Sequence, residues 1–125
     1  MAIYHTRSKR KPTGGLHKDY VAKRNHQVGR EFTKTLIGEK KVRIIRGRGG
    51  NTCIALRQDN KVNVSDEKGK TKIETIENVV ENKANPQFVR TGIVTKGAVV
   101  KTKAGKVKIT SRPGQDGMLN GIIVK

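Results

Sequence analysis

The residues of this sequence with chemical capacity are cations set beside glycines. Arg7, Lys9, Arg10 and Lys11 come first, Thr13, Gly14 and Gly15 follow, and Lys18, Lys23, Arg24 and Arg30 complete the group. Cations at this density do phosphate chemistry: they neutralise a nucleic-acid backbone and release its condensed counterions, a large favourable term at low salt. Arginine adds a planar fork that meets phosphate oxygens bidentately. The adjacent glycines let backbone N–H groups approach a phosphate closely. A second group, Arg43, Arg46 and Arg48, surrounds Gly47, Gly49 and Gly50, which also read as an ordinary hairpin turn. The third candidate is Arg112, within Ser111-Arg112-Pro113-Gly114-Gln115-Asp116-Gly117. That rigid turn reads first as structural and second as a phosphate contact.

Other chemistries fail on spacing. Gly69-Lys70-Thr71 ends like a phosphate-binding loop, but Val64 stands where its first glycine belongs. Gly47-Arg48-Gly49 opens like a dinucleotide fingerprint, but Thr52 holds the third glycine position and the following segment reads as a strand. His5, His17 and His26 form no i, i+4 pair and have no cysteine nearby, so no metal site is expected. Glu74 and Glu77 form an acid–base pair only if buried; in so basic a chain they read as partners of local cations. No serine sits in a Gly-x-Ser-x-Gly elbow. Catalytic residues, cofactors and a small-molecule substrate are therefore not expected.

Composition agrees with the phosphate reading. Among 125 residues there are 28 Lys plus Arg against 10 Asp plus Glu, a net charge of +18 and a pI near 10.6. Such an excess opposes compaction unless a polyanion neutralises it, and it is the electrostatic footprint of a nucleic-acid binder. A basic protein of membrane surfaces would need an amphipathic helix with an aromatic or leucine-rich face. Trp is absent and aromatics make up 3%, so no membrane partner is expected. Cys53 is the single cysteine, which excludes an internal disulfide. The start, Met1-Ala2-Ile3-Tyr4-His5, carries no apolar leader. Both features point to a reducing, cytoplasmic setting.

Two stretches of different texture must position these cations. Between residues 5 and 35 the apolar residues are only Leu16, Tyr20, Val21, Ala22, Val28 and Phe32, without a period of two or 3.6. Such a segment cannot bury enough surface to fold alone. It reads as an extended basic arm ordered by its partner, and residues 1–40 are assigned to it. From about residue 41 short β-branched runs alternate with turns. Strands are expected at 42–46, 53–57, 62–64 and 119–124, and a hairpin at 99–103 and 106–110 about Ala104-Gly105. In that hairpin Val107 and Ile109 share one face, Lys106 and Lys108 the other. Residues 73–80 are ambiguous: Ile73, Ile76 and Val80 fit a helix, while the Thr and Val content favours a strand. Asn85-Pro86 caps a short helical turn at 86–91. The expected fold class is all-β: a small closed or partly open β-barrel of short antiparallel strands over residues 41–125, carrying the extended basic N-terminal arm.

Structured RNA suits this layout better than duplex DNA. Proteins that read DNA sequence usually present a recognition helix, and none is visible. An extended arm on a small β-body fits the crevices of irregular RNA, with recognition by shape and backbone. The competing class is a DNA-compacting basic protein, which predicts comparable affinity for any long duplex. An enzyme is a distant third.

Five segments carry a family resemblance: Arg10-Lys11-Pro12-Thr13-Gly14-Gly15; Arg48-Gly49-Gly50-Asn51; Val79-Val80-Glu81-Asn82 with Ala84-Asn85; Ile93-Val94-Thr95-Lys96-Gly97-Ala98; and Thr110-Ser111-Arg112-Pro113-Gly114-Gln115-Asp116-Gly117. In this order the chain resembles the archaeal and eukaryotic type of small-ribosomal-subunit protein eight, the S-eight-e family. Its length is similar to the compact archaeal form, and Lys83 stands where the family pattern has Pro. The resemblance implies a β-barrel body with a basic N-terminal extension that binds small-subunit rRNA. It further implies neighbouring small-subunit ribosomal proteins as partners and the cytoplasmic ribosome as the location.

Overall fold

The structure is a computed structural model. It describes the chain except for Met1, Ala2, Thr6, Asp19, Tyr20, Val21, Lys23, Glu67, Lys68 and Lys125. Two compact units divide it, Met1–Phe32 and Thr33–Lys125.

The second unit is mostly strand. In chain order it comprises β1 (Thr35–Leu36), β2 (Lys41–Arg46), β3 (Thr52–Gln58), β4 (Lys61–Ser65), β5 (Thr71–Glu81), α1 (Gln87–Arg90), β6 (Ile93–Val94), β7 (Val99–Thr102), β8 (Gly105–Ile109), α2 (Pro113–Asp116) and β9 (Asn120–Ile123). Strands β4-β5-β7-β8-β9 close into a five-stranded barrel, and β2-β3-β1-β6 form an open four-stranded sheet. The barrel pairs are antiparallel except β4–β9, a parallel pair that closes the ring through Asn63↔Asn120 and Val64↔Gly121. The expected all-β barrel is therefore present, and closed.

Period-two alternation builds the barrel. Val62 and Val64 of β4, Val100 of β7, and Val107 and Ile109 of β8 point inward and are buried. They join Leu56 of β3, Val94 of β6 and Leu119 in one hydrophobic core, so the open sheet and the barrel share an interior. Closure needs one close approach. A Cβ at Gly121 would lie 2.5 Å from Val107 Cγ1 and 2.9 Å from the Lys108 carbonyl oxygen, so only glycine lets β9 lie this close to β8.

The ambiguous stretch resolves as strand. β5 spans Thr71–Glu81, but its register slips between Ile76 and Asn78 and again between Val79 and Glu81. A bulge inserts an extra residue, so the inward residues fall three apart, at Ile76 and Val79. That spacing imitates a helix. The helical turn after it is α1, where the Asn85 carboxamide oxygen accepts the Gln87 N–H at 2.9 Å.

The two-residue strands β1 and β6 had no counterpart in the sequence reading. Thr35 and Leu36 pair with Val94 and Ile93, and the buried Thr35 hydroxyl donates to the Leu56 carbonyl at 2.8 Å. Residues 33–40 belong to the second unit and enter it through β1.

The first unit has isolated backbone pairing. Tyr4 bridges Val28, and Arg10 bridges Leu16, both antiparallel. Among its described residues no side chain is buried.

Candidate nucleic-acid interface

Arg10 and Lys11 are presented on a short, locally braced turn. The Lys11 N–H donates to the Gly15 carbonyl at 2.8 Å, and the Gly14 N–H to the Lys11 carbonyl at 2.9 Å. Gly14 has φ +84, a left-handed conformation that side chains oppose. Arg10 Nη1 donates to the Gly14 carbonyl at 2.8 Å, so one guanidinium nitrogen braces the turn while the rest of the fork faces solvent. His17 N–H donates to the Lys9 carbonyl at 2.9 Å, which extends the bridge between the two limbs. The turn uses the Gly14 N–H internally, so Gly14 shapes the loop rather than offering its amide to a phosphate.

The second brace lies at the other end of the unit. His5 N–H donates to the Gln27 carbonyl (2.8 Å) and Gly29 N–H to the Ile3 carbonyl (2.6 Å). Here a Cβ at Gly29 would fall 2.5 Å from His5 Nε2. Arg7, Lys9, Arg10, Lys11, Thr13, Lys18, Arg24 and Arg30 are all exposed. Lys23 lies outside the described residues.

Arg43, Arg46 and Arg48 sit together on the β2–β3 ribbon, but not on one face. Arg43 pairs with Ala55 and Arg46 with Thr52, three residues apart along β2, so their side chains point to opposite sides. Arg57 of β3 is also exposed, at the register shift between Lys41 and Val42, and was not among the sequence candidates. The face opposite Arg43 carries Val42, Ile44 and Ile54, all exposed, with Ile44 directly across from Ile54. Arg48 occupies the tip, a 3-10 turn over Arg48–Gly50. The tip is braced by Gly47 N–H to the Asn51 carbonyl (2.6 Å) and by Asn51 Nδ2 to the Arg48 carbonyl (3.3 Å).

Arg112 stands at the start of α2 with its side chain exposed. Its backbone N–H donates to Asp116 Oδ2 at 2.7 Å, and its Nη1 to Gln115 Oε1 at 3.1 Å. The buried Ser111 hydroxyl donates to the Met118 carbonyl (3.1 Å) and accepts the Asn120 N–H (2.9 Å).

Among the described residues no group of three or more His, Cys, Asp and Glu is placed to share an ion, and no helix is long and apolar enough to cross a membrane.

The family model for ribosomal protein S8e matches residues 4–124. The chain belongs to that family. It is 50% identical to small ribosomal subunit protein eS8 of Nanoarchaeum equitans, over 98% of this chain and 97% of that one. Against the eS8 proteins of Staphylothermus marinus and Methanobrevibacter smithii the identities are 47% and 45%, over 99–100% of each chain.

The S8e segments divide by environment. Those containing Asn82, Thr95 and Ser111 lie in the framework, where these side chains make hydrogen bonds that tie strands and loops together. The Arg10–Gly15 and Arg48–Asn51 segments are exposed basic turns.

Proposed function

We propose that this S8e chain is a structural constituent of the small ribosomal subunit that binds small-subunit rRNA, chiefly through residues 1–40, with no catalytic step. The names of its relatives, small ribosomal subunit protein eS8, support the small-subunit role. One observation carries the RNA reading: the arm's described cations stand exposed, Arg10 and Lys11 on a braced turn, and none of the unit's described residues is buried. Such a segment gains its stabilisation from outside the chain. Arg7, Lys9, Arg10, Lys11, Lys18, Lys23, Arg24 and Arg30 supply the phosphate contacts, with Thr13, Gly14 and Gly15 shaping the turn between them. Arg43, Arg46, Arg48 and Arg112 add contacts from the body. In this reading the work is done on the ribosome in the cytoplasm, beside other small-subunit proteins.

The test is binding of the full chain to small-subunit rRNA and to random duplex DNA of equal length, across a salt series. The rRNA preference is expected to survive near 0.2 M salt, where bare phosphate attraction has fallen by orders of magnitude. Equal affinities that collapse together would favour a general polyanion binder.

A further inference from the structure

We propose that the barrel carries a second RNA-backbone contact of its own, on the outer face of the β7–β8 hairpin, made by Lys101, Lys106 and Lys108 with Lys103 at the turn. The proposal rests on the rRNA reading above and extends it to a surface outside the arm and the β2–β3 ribbon.

The geometry begins with register. Lys101 of β7 pairs directly with Lys106 of β8, and Val99 with Lys108. Residues directly opposite in an antiparallel pair project from the same face. The other face is occupied by Val100, Thr102, Val107 and Ile109, each 3% exposed or less. Burial of that set locks the lysines outward, because a one-residue slip would carry the buried side chains into water. Lys106 and Lys108 lie two residues apart on one strand, about 7 Å along it. This row of cations can address successive phosphates of one nucleic-acid strand.

The energetics point the same way. Like charges directly opposite in a sheet oppose folding. The barrel nevertheless sets Lys101 across from Lys106, with Lys103 and Lys108 close by. The compensation within the described residues is slight: Glu77 Oε2 lies 3.6 Å from Lys101 Nζ, with both side chains well exposed. An exposed pair of this kind contributes little. Lys106 and Lys108 have no carboxylate within ion-pair distance among the described residues. A local conflict that a fold tolerates marks a site with another purpose. Phosphates set against this face would turn the repulsion into attraction. Ile122, paired with Lys108 on β9 and exposed, would instead offer an apolar contact to a protein segment. The evenly spaced cations favour the RNA backbone.

The experiment replaces Lys101, Lys106 and Lys108 by Gln together in the full chain and measures binding to small-subunit rRNA across salt. The salt slope is expected to fall by roughly two to three, and affinity near 0.1 M salt by roughly 10–100-fold. The matching Lys→Arg variant should bind as the wild type does. The Gln variant should melt no lower than wild type, because the substitutions remove repulsion and no buried contact. An unchanged slope and affinity in the Gln variant would overturn the proposal. Unchanged rRNA binding with lost incorporation into small subunits would also overturn it, in favour of a protein partner. Failure of the broader reading shows elsewhere: the wild type would not prefer rRNA over duplex DNA. The contribution of the hairpin is read from the difference in slope between wild type and variant.

Discussion

The Thr95 hydroxyl donates to Asn82 Oδ1 at 2.9 Å, linking the end of β5 to the segment after β6. The same Asn82 oxygen accepts the Ala84 N–H at 3.0 Å, and its amide donates to the Ile93 carbonyl at 3.1 Å. Asn82 is buried, so water cannot replace these partners. Asn82→Ala should cost about 2–4 kcal/mol, since it leaves several polar groups without partners. Asn82→Asp should cost at least as much, because a carboxylate would face the Ile93 carbonyl that the amide now serves. Urea denaturation measures both; a loss below about 0.5 kcal/mol, the level of a neutral surface change, would mean the network contributes nothing.

Gly117 closes α2 with φ +71, and a Cβ there would lie 2.5 Å from Ile54 Cγ2. Gly117→Ala therefore meets two penalties, one conformational and one steric. Together they should cost about 2–4 kcal/mol, of which about 1–2 kcal/mol is conformational. Ile54→Ala removes the colliding methyl, so in that background Gly117→Ala should cost only the conformational part. A double-mutant cycle from thermal or urea melts gives the coupling. Simple additivity would show that Ile54 does not press on this turn.

What the sequence made legible follows from range. The β7–β8 hairpin was readable because Lys106-Val107-Lys108-Ile109 alternates around an evident turn. The strand character of β5 was obscured because Ile73 lies on the outer face by ordinary alternation, while two register shifts further along put both Ile76 and Val79 inward and leave Val80 exposed. β1 and β6 could not be read, because a two-residue strand has no period and exists only through its partners. The parallel closure of β4 on β9 depends on contacts between distant segments, here Asn63 with Asn120. The basic turns at Arg10–Gly15 and Arg48–Asn51 were visible as composition. That Arg43 and Arg46 part to opposite faces became visible only with the register of β2. In the lysine row of β7–β8, alternation placed only Lys106 and Lys108 on a common face. Finding it needed the Lys101↔Lys106 register.

The divided ribbon makes its arginines unequal. Arg43 faces one side, while Arg46 shares the other with Val42 and Ile44. A single RNA backbone follows the face away from the apolar row of Val42, Ile44 and Ile54. Arg43→Ala should lower the salt slope of rRNA binding by about one. Arg46→Ala should change it by less than half as much. Equal effects at 43 and 46 would show that RNA embraces the tip from both sides, with Arg48 between.

In the arm, Arg10 both braces its turn and offers a guanidinium to phosphate. Replacing Arg10 and Lys11 by Ala should lower the salt slope by about two and weaken rRNA binding at every salt concentration tested. The choice of RNA should not change, because phosphate contacts carry no sequence information. Stability of the free protein should stay within about 0.5 kcal/mol of wild type, since both side chains are exposed. Hydrogen exchange provides the companion measurement. In the free chain the N–H groups of Lys11, Gly14 and His17 should exchange quickly despite their hydrogen bonds, because none of the described residues of that unit is buried to offset an ordering cost of about 1–2 kcal/mol per residue. Amides of β7 and β8, whose inward side chains lie in the core, should exchange slowly. On rRNA the arm amides should slow markedly. Strong protection of these three amides in the free protein would show that the arm folds without RNA, and the phosphate contacts would then add affinity to a preformed surface rather than create its order.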